Sequence, residues 1–241
     1  MTPLLNLSAL IIQTILYVVA YLPTRFFTGF KVKGARNLQN LPAGGVIIMS
    51  NHASQIDPGL LDFALPWNRR FRPGYIVSLT KEHYLHLPLG KWLFGGRFFT
   101  LGGSYPVYLK KETLEESLPH HIKLLNKGKL VVIFPEGKLS RDGKLGSARP
   151  GVAFLAHKTG AMIIPTYIAG DYLLTAKDFF GRKRHMSVTF SKHIRFSDYG
   201  EVGKVYTREE YRDIAEKMFS KVRDLAIEDI SKEGKDINEK V

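Results

Sequence analysis

With 241 residues, 44% of them apolar and 24% charged, the chain can bury a substantial core and is too apolar for wholesale disorder. It has no cysteine, which excludes a disulfide framework, thiolate metal sites and a cysteine nucleophile. Its 35 Lys and Arg outnumber 22 Asp and Glu for a net charge of +13, a field that attracts nucleic acid, an anionic membrane surface or phosphorylated and acidic substrates.

The first element is apolar. Leu4 to Leu22 carries no charge over 19 residues and is rich in Leu, Ile and Val, with Tyr17 and Tyr21 near its end. As a helix it extends roughly 28 Å, close to the hydrocarbon thickness of a bilayer. A cleaved signal peptide fits less well: no basic segment precedes the stretch, and Pro23, Thr24 and Arg25 follow it where small residues belong. A buried core helix is the plainer alternative. Arg25, Lys31 and Lys33 keep the following domain cytoplasmic by the positive-inside tendency, while Asn6, Gln13 and Thr14 leave open a helix lying in the interface rather than crossing it. We read residues 1–27 as a membrane-anchoring helix, 28–230 as one domain and 231–241 as a charged, frayed tail.

Beyond the anchor, Phe30 to Val32 is strand-like, and Val46 to Met49 reads as a buried strand ended by Ser50-Asn51-His52. Pro58 and Gly59 open an apolar helix to about Leu65. Tyr75 to Leu79 is a further strand, Lys81 to Phe94 two short helical pieces broken by Pro88 and Gly90, and Phe98 to Leu101 and Tyr105 to Leu109 are strand-like. Leu118 to Asn126 predicts a helix capped by Ser117 and stopped by Gly128. Leu130 to Phe134 is an apolar strand ending at Pro135-Glu136-Gly137. A helix then starts at Pro150-Gly151 and stops at Gly160, and Ala161 to Ile168 and Ser187 to Phe196 are strands. Thr207 and Glu210 form a capping box ahead of a helix whose Tyr211, Ile214, Ala215, Met218, Val222, Leu225 and Ala226 make one apolar stripe. This alternation predicts an α/β domain with a mixed, largely parallel sheet flanked by helices, its sites gathered beyond the carboxyl ends of the strands.

Two strands end in polar turns that carry chemistry. Imidazole is the side chain whose ordinary pKa lies near neutrality, and a carboxylate on its second nitrogen fixes the tautomer and stabilises the imidazolium. Five residues containing a turn suffice to fold Asp57 back onto His52. The spacing alone is weak, since His193 and Asp198 repeat it. Context separates them: His52 follows a buried strand and precedes a helix start, whereas His193 lies between Lys192 and Arg195 in an amphipathic strand, where a solvated His is the default. Glu136, between Pro135 and Gly137 at the end of an apolar strand, is either a turn residue or a ligand-facing carboxylate. Lys138, Arg141 and Lys144 add cationic donors suited to phosphate, each of which alone reads equally as a solvated loop residue.

Asn51-His52-Ala53-Ser54-Gln55-Ile56-Asp57 and Phe134-Pro135-Glu136-Gly137, about eighty residues apart, resemble the NHxxxxD and FPEG blocks of the lysophospholipid and glycerolipid acyltransferases of the 1-acylglycerol-3-phosphate acyltransferase type. Lys81-Glu82, Pro88, Gly90 and Tyr105-Pro106-Val107 look like the family's intervening segment, and Ile164-Pro165 through Gly170 its fourth block. The resemblance covers about residues 28–175. It implies that His52 deprotonates an acceptor hydroxyl, that Asp57 orients His52, and that the oxygen attacks an acyl-CoA or acyl-carrier-protein thioester directly, with no cofactor and no metal. It also implies an acceptor held by Asn51, Lys110, Glu136, Gly137, Lys138 and Arg141. The sequence departs from the family where an arginine is usual: Tyr108 and Leu109, then Lys110 and Lys111, occupy one place, and Lys138-Leu139 follow the FPEG block at the other. The Glu-Gly-Lys variant is similar to that of tafazzin-like phospholipid transacylases.

Three other classes compete. A non-catalytic lipid-binding protein on the same fold has no need of the His52–Asp57 pair. A nucleic-acid-binding protein predicts aromatic and basic residues interleaved on a sheet face, which the chain lacks. A metal-dependent hydrolase requires a further ligand set beside His52 and Asp57. The basic surface, Arg182-Lys183-Arg184 included, and the apolar N-terminus share one explanation in membrane lipid and an anionic acyl donor as partners, with no nucleic acid and with the domain on the cytoplasmic face.

Overall fold

The computed structural model describes residues 3–66, 75–76, 103–108 and 111–238. Within them the strands are β1 (Lys31–Lys33), β2 (Val46–Ser50), β3 (Tyr75–Ile76), β4 (Leu130–Ile133), β5 (Met162–Ala169) and β6 (Ser187–Phe190). The helices are α1 (Pro3–Thr28), α2 (Asp57–Ala64), α3 (Leu114–Ser117), α4 (Pro119–Asn126), α5 (Gly151–Thr159), α6 (Ala176–Phe180) and α7 (Arg208–Asn238). The strands form one sheet in the order β1-β6-β5-β2-β4-β3. β5, β2, β4 and β3 run parallel, β6 is antiparallel to β5, and β1 is parallel to β6. The domain is the anticipated α/β architecture with a mixed, largely parallel sheet.

The pleat divides the apolar strands between two cores. Ile47, Met49, Val131, Ile133 and Ile163 face α4, α5 and the stripe of α7, where Ala215, Met218 and Val222 are fully buried. Val46, Ile48, Leu130, Val132, Met162 and Ile164 face Leu60 and Leu61 of α2, with Phe30 and Met186 beside them. Because both faces are covered, these strands read in sequence as continuous apolar runs rather than alternating ones.

α1 is longer than its charge-free stretch and continues through Pro23 to Thr28. Ala9, Gln13, Thr24 and Thr28 are buried along one side, and Tyr17 and Tyr21 pack edge-on against Phe63 of α2. The opposite side presents Leu7, Ile11, Ile15, Val18, Val19, Leu22 and Phe26 to solvent. Residues Leu7–Thr28 are long and apolar enough to cross a membrane.

Several element boundaries differ from expectation. The helix predicted over Leu118 to Asn126 forms as α4 from Pro119, but Ser117 does not cap it; Ser117 ends an additional short helix, α3, which Thr113 caps by accepting from Glu116 N at 3.1 Å. The strand predicted to run to Phe196 ends at Phe190, and its continuation keeps to β5 through Ser191 N donating to Pro165 O at 2.9 Å and a bridge between Ile194 and Ile163. The capping box forms as predicted, with Thr207 N donating to Glu210 Oε2 at 2.7 Å and Glu210 N to Thr207 Oγ1 at 3.2 Å. α7 continues to Asn238, through the charged segment expected to fray. Tyr105 makes an isolated bridge and residues 106–108 are irregular. The readings made over Lys81 to Phe94, Phe98 to Leu101, the end of the strand from Tyr75, and Leu109 and Lys110 lie outside the described residues.

Candidate active site

β5, β2 and β4 are adjacent, parallel and almost wholly buried, so their carboxyl ends open at one edge of the sheet. Asn51-His52 follows β2, Glu136 lies just beyond β4, and Asp171 just beyond β5. Asn51 ties two of these ends together: its side-chain amide donates to Ile168 O at 3.0 Å and accepts from Ile168 N at 2.8 Å. Asn51 is thus buried and committed to the backbone of β5, and it acts as a strap rather than a group offered to a ligand.

A turn in which Asp57 N donates to Ser54 O at 3.3 Å brings the start of α2 back over the end of β2. Asp57 is fully buried, and its Oδ2 accepts from His52 Nδ1 at 2.7 Å, Ala53 N at 2.8 Å and Ser54 N at 3.0 Å. A carboxylate only accepts, so Nδ1 carries the proton and Nε2 is the nitrogen left with a lone pair. Phe134 stacks on the imidazole at 4.1 Å between ring centres. Burial lowers the His52 pKa to about 4, against the opposing pull of Glu136 and Asp171. The ring is therefore neutral at pH 7 and ready to take a proton. Burial pushes the Asp57 carboxyl upward, opposed by the neighbouring Asp171 and by the hydrogen bonds from Ser54 N and Ala53 N.

Glu136 holds this turn from the other side. Its Oε1 accepts from His52 N at 3.0 Å and its Oε2 from Gly146 N at 2.8 Å, while Ser140 N donates to His52 O at 2.8 Å. Both carboxylate oxygens are engaged by backbone and the side chain is 5% exposed, so Glu136 clamps His52 in place. Gly137 has φ +65°, and a Cβ there would meet the Arg149 side chain. Arg149, which sequence reasoning missed, donates Nε to Glu136 O at 3.2 Å and is otherwise exposed. Lys138, Arg141 and Lys144 are exposed on the same loop, and His52 lines with Ala53, Ser140, Gly143, Lys144 and Leu145 a crevice too narrow to hold a water molecule. The sequence-derived set thus comes together at His52, Asp57, Glu136 and Gly137, with Lys138 and Arg141 exposed on the loop that follows. Lys110 lies outside the described residues.

His193 is a surface residue, and Asp198 accepts from Arg195 N at 2.7 Å to cap a short 3-10 turn. The second His-x4-Asp spacing makes no site. A larger cavity of about 410 Å³, lined by Leu22, Arg25, Phe26, Gly29 and Arg182, is at the end of α1.

The acyltransferase family model matches residues 30–169, the span that contains His52, Asp57 and Glu136. The chain belongs to the acyltransferase family. Among curated members it is 28% identical over 184 residues to the chloroplastic 1-acyl-sn-glycerol-3-phosphate acyltransferase LPAT1 of Arabidopsis thaliana, covering 75% of this chain and 48% of that protein. It is 27% identical over 154 residues to the 1-acyl-sn-glycerol-3-phosphate acyltransferase of Pseudomonas aeruginosa, covering 62% and 54%. The chain therefore spans about half the length of the curated family members it matches. The fold is shared with the crystal structure of the 1-acyl-sn-glycerophosphate acyltransferase PlsC from Thermotoga maritima, with a TM-score of 0.59 at 21% identity over 89% of this chain and 80% of that one.

Proposed function

We propose that this acyltransferase moves a fatty acyl group from an acyl-CoA or acyl-carrier-protein thioester to the free hydroxyl of a lysophospholipid, with 1-acyl-sn-glycerol-3-phosphate as the first acceptor to test. The reading is carried by the 2.7 Å contact between His52 Nδ1 and Asp57 Oδ2, which leaves Nε2 with its lone pair on a side chain that is 20% exposed. Nε2 takes the acceptor's hydroxyl proton as the oxygen attacks the thioester carbonyl. Asp57 stabilises the imidazolium that forms. The C–S bond then breaks, and the proton held on Nε2 goes to the departing thiolate. No covalent acyl-enzyme is needed.

Lys138, Arg141, Lys144 and Arg149 are exposed on the segment that follows β4 and supply positive charge suited to an acceptor phosphate and an anionic donor. In support of membrane association, α1 is packed along one side while its other side is a free apolar stripe, the arrangement of a helix lying in the interface. Arg25, Lys31 and Lys33 beyond it favour the cytoplasmic face for the domain by the positive-inside tendency.

The test is a panel of lysolipid acceptors with acyl-CoA and acyl-carrier-protein donors, scored for new diacyl product in wild type and His52→Ala. Product in the wild type and none in the variant is the expected outcome. Turnover retained by His52→Ala refutes the base assignment, and a panel with no product refutes the activity.

A further inference from the structure

The donors around Asp57 serve only one of its oxygens. Among the described residues no backbone, hydroxyl or cationic donor reaches Asp57 Oδ1, nor Asp171 Oδ2, although both atoms are buried and the two residues are 0% and 1% exposed. The two carboxyls lie within hydrogen-bonding reach of each other. Two carboxylates cannot both ionise at that separation, and neither oxygen can donate unless one of them carries a proton.

We propose that Asp171 is a positioning residue of this site, held as the neutral acid and donating its proton to Asp57 Oδ1, so that it fixes the carboxylate that orients His52. The inference rests on His52 acting as the base.

The assignment of the proton to Asp171 follows from the surroundings of each group. Asp57 already accepts three hydrogen bonds on Oδ2 and sits at the first turn of α2, where the helix dipole favours an anion. Asp171 has its own backbone N–H as its other donor, and burial together with the neighbouring Asp57 pushes its pKa up to about 9. The charged and titratable groups that bear on the pair are His52 after β2 and Glu136 after β4, besides each other. The backbone delivers Asp171 to this point by a turn only glycine allows: Gly170 has φ +88°, and a Cβ there would overlap the His185 carbonyl. The result is a chain of three groups, Asp171 to Asp57 to His52, with a single negative charge at its centre and the free Nε2 at its end. Above the pKa of Asp171 a second buried charge appears beside Asp57. The donor to Oδ1 is then lost and the carboxylate is repelled from its seat.

The test compares Asp171→Asn, which retains an N–H donor that does not titrate, with Asp171→Ala, which leaves Oδ1 bare. Asp171→Ala is expected to lower kcat about ten- to hundred-fold with KM within about threefold of wild type, and Asn to restore most of that loss. The wild-type rate, read in initial turnovers, is expected to fall above a pH of about 9, and Asp171→Asn to lack that fall. Stability gives a second readout that needs no activity. A folded pKa raised from 3.8 to about 9 means that stability present at low pH is lost progressively between those values, so the melting temperature of Asp171→Asn should gain on wild type as pH rises through that window.

The inference is overturned by Asp171→Ala with wild-type kcat, by Asn as impaired as Ala, or by a melting difference that does not change with pH. If the Ala protein does not fold, the Asn variant decides through its pH profile and its melting curve. Activity surviving in His52→Ala sinks the base reading itself, whereas an unaffected Asp171→Ala beside an inactive His52→Ala sinks only the role of Asp171.

Discussion

Asp57→Asn isolates the charge of the orienting carboxylate from its shape. The amide oxygen of Asn can still accept from His52 Nδ1, Ala53 N and Ser54 N, so the turn is kept while the negative charge is removed. His52 is neutral in the ground state, because burial holds its pKa near 4, and becomes cationic only as it takes the acceptor's proton. The loss therefore falls on the transition state. At the 2.7 Å separation of Nδ1 and Oδ2, an effective dielectric of about 20 gives an attraction of about 6 kcal/mol, an upper bound from which the retained neutral hydrogen bond subtracts. A loss of about 3–6 kcal/mol corresponds to a fall in kcat of roughly 10²- to 10⁴-fold at about 1.4 kcal/mol per decade. KM should stay within about threefold, since Asp57 is fully buried and touches no substrate. The assay is thiol release from acyl-CoA with the preferred lysolipid, alongside thermal melting. A fall in kcat of less than about tenfold in a variant that melts like wild type would refute a transition state with the proton on His52.

Three further outcomes are expected. The acid limb of kcat/KM for the wild type should fall near pH 4, where His52 gains its proton, and a limb at the ordinary histidine value of 6.5 would show that the ring is not desolvated as described. Glu136→Gln turns an amide N–H towards the backbone N–H of either His52 or Gly146, at a cost of about 1–3 kcal/mol, so melting temperature and kcat should fall together; a raised KM with unchanged melting would make Glu136 a substrate contact instead. On α1, Val18 and Leu22 are 64% and 67% exposed, so replacing both by Glu should move the protein from vesicle pellet to supernatant without changing its melting temperature. Continued pelleting would place the membrane contact elsewhere.

The parts of the site that could be read in the chain are local ones. His52 and Asp57 are five residues apart, and a buried strand followed by a turn and a Pro-Gly helix start brings them together whatever the rest of the molecule does. The capping box of α7 was equally legible, because both of its hydrogen bonds lie within three residues. The cap of α4 was less so: Ser117 is a competent cap by type, but it packs inward as the last residue of α3, where its hydroxyl donates to Thr113 O at 2.9 Å. Asn51 and Glu136 were located correctly beside the chemistry and assigned to a ligand, yet their polar atoms are used on Ile168, His52 and Gly146, 10 to 117 residues away. Asp171 carried a signal that went unread, a polar residue in the turn just after a buried strand, the pattern that also marks the ends of β2 and β4.

By itself the sequence determined the alternating elements, the apolar first helix and the His-Asp turn, since each depends on periodicity or on contacts within a few residues. Only the tertiary structure decided which strand ends are neighbours. The order β5-β2-β4 places the turns after three separate strands at one edge of the sheet, and with them Glu136 and Asp171 on either side of His52. That order is set by how two buried cores close around the sheet, a property of the whole chain that no local stretch of it encodes.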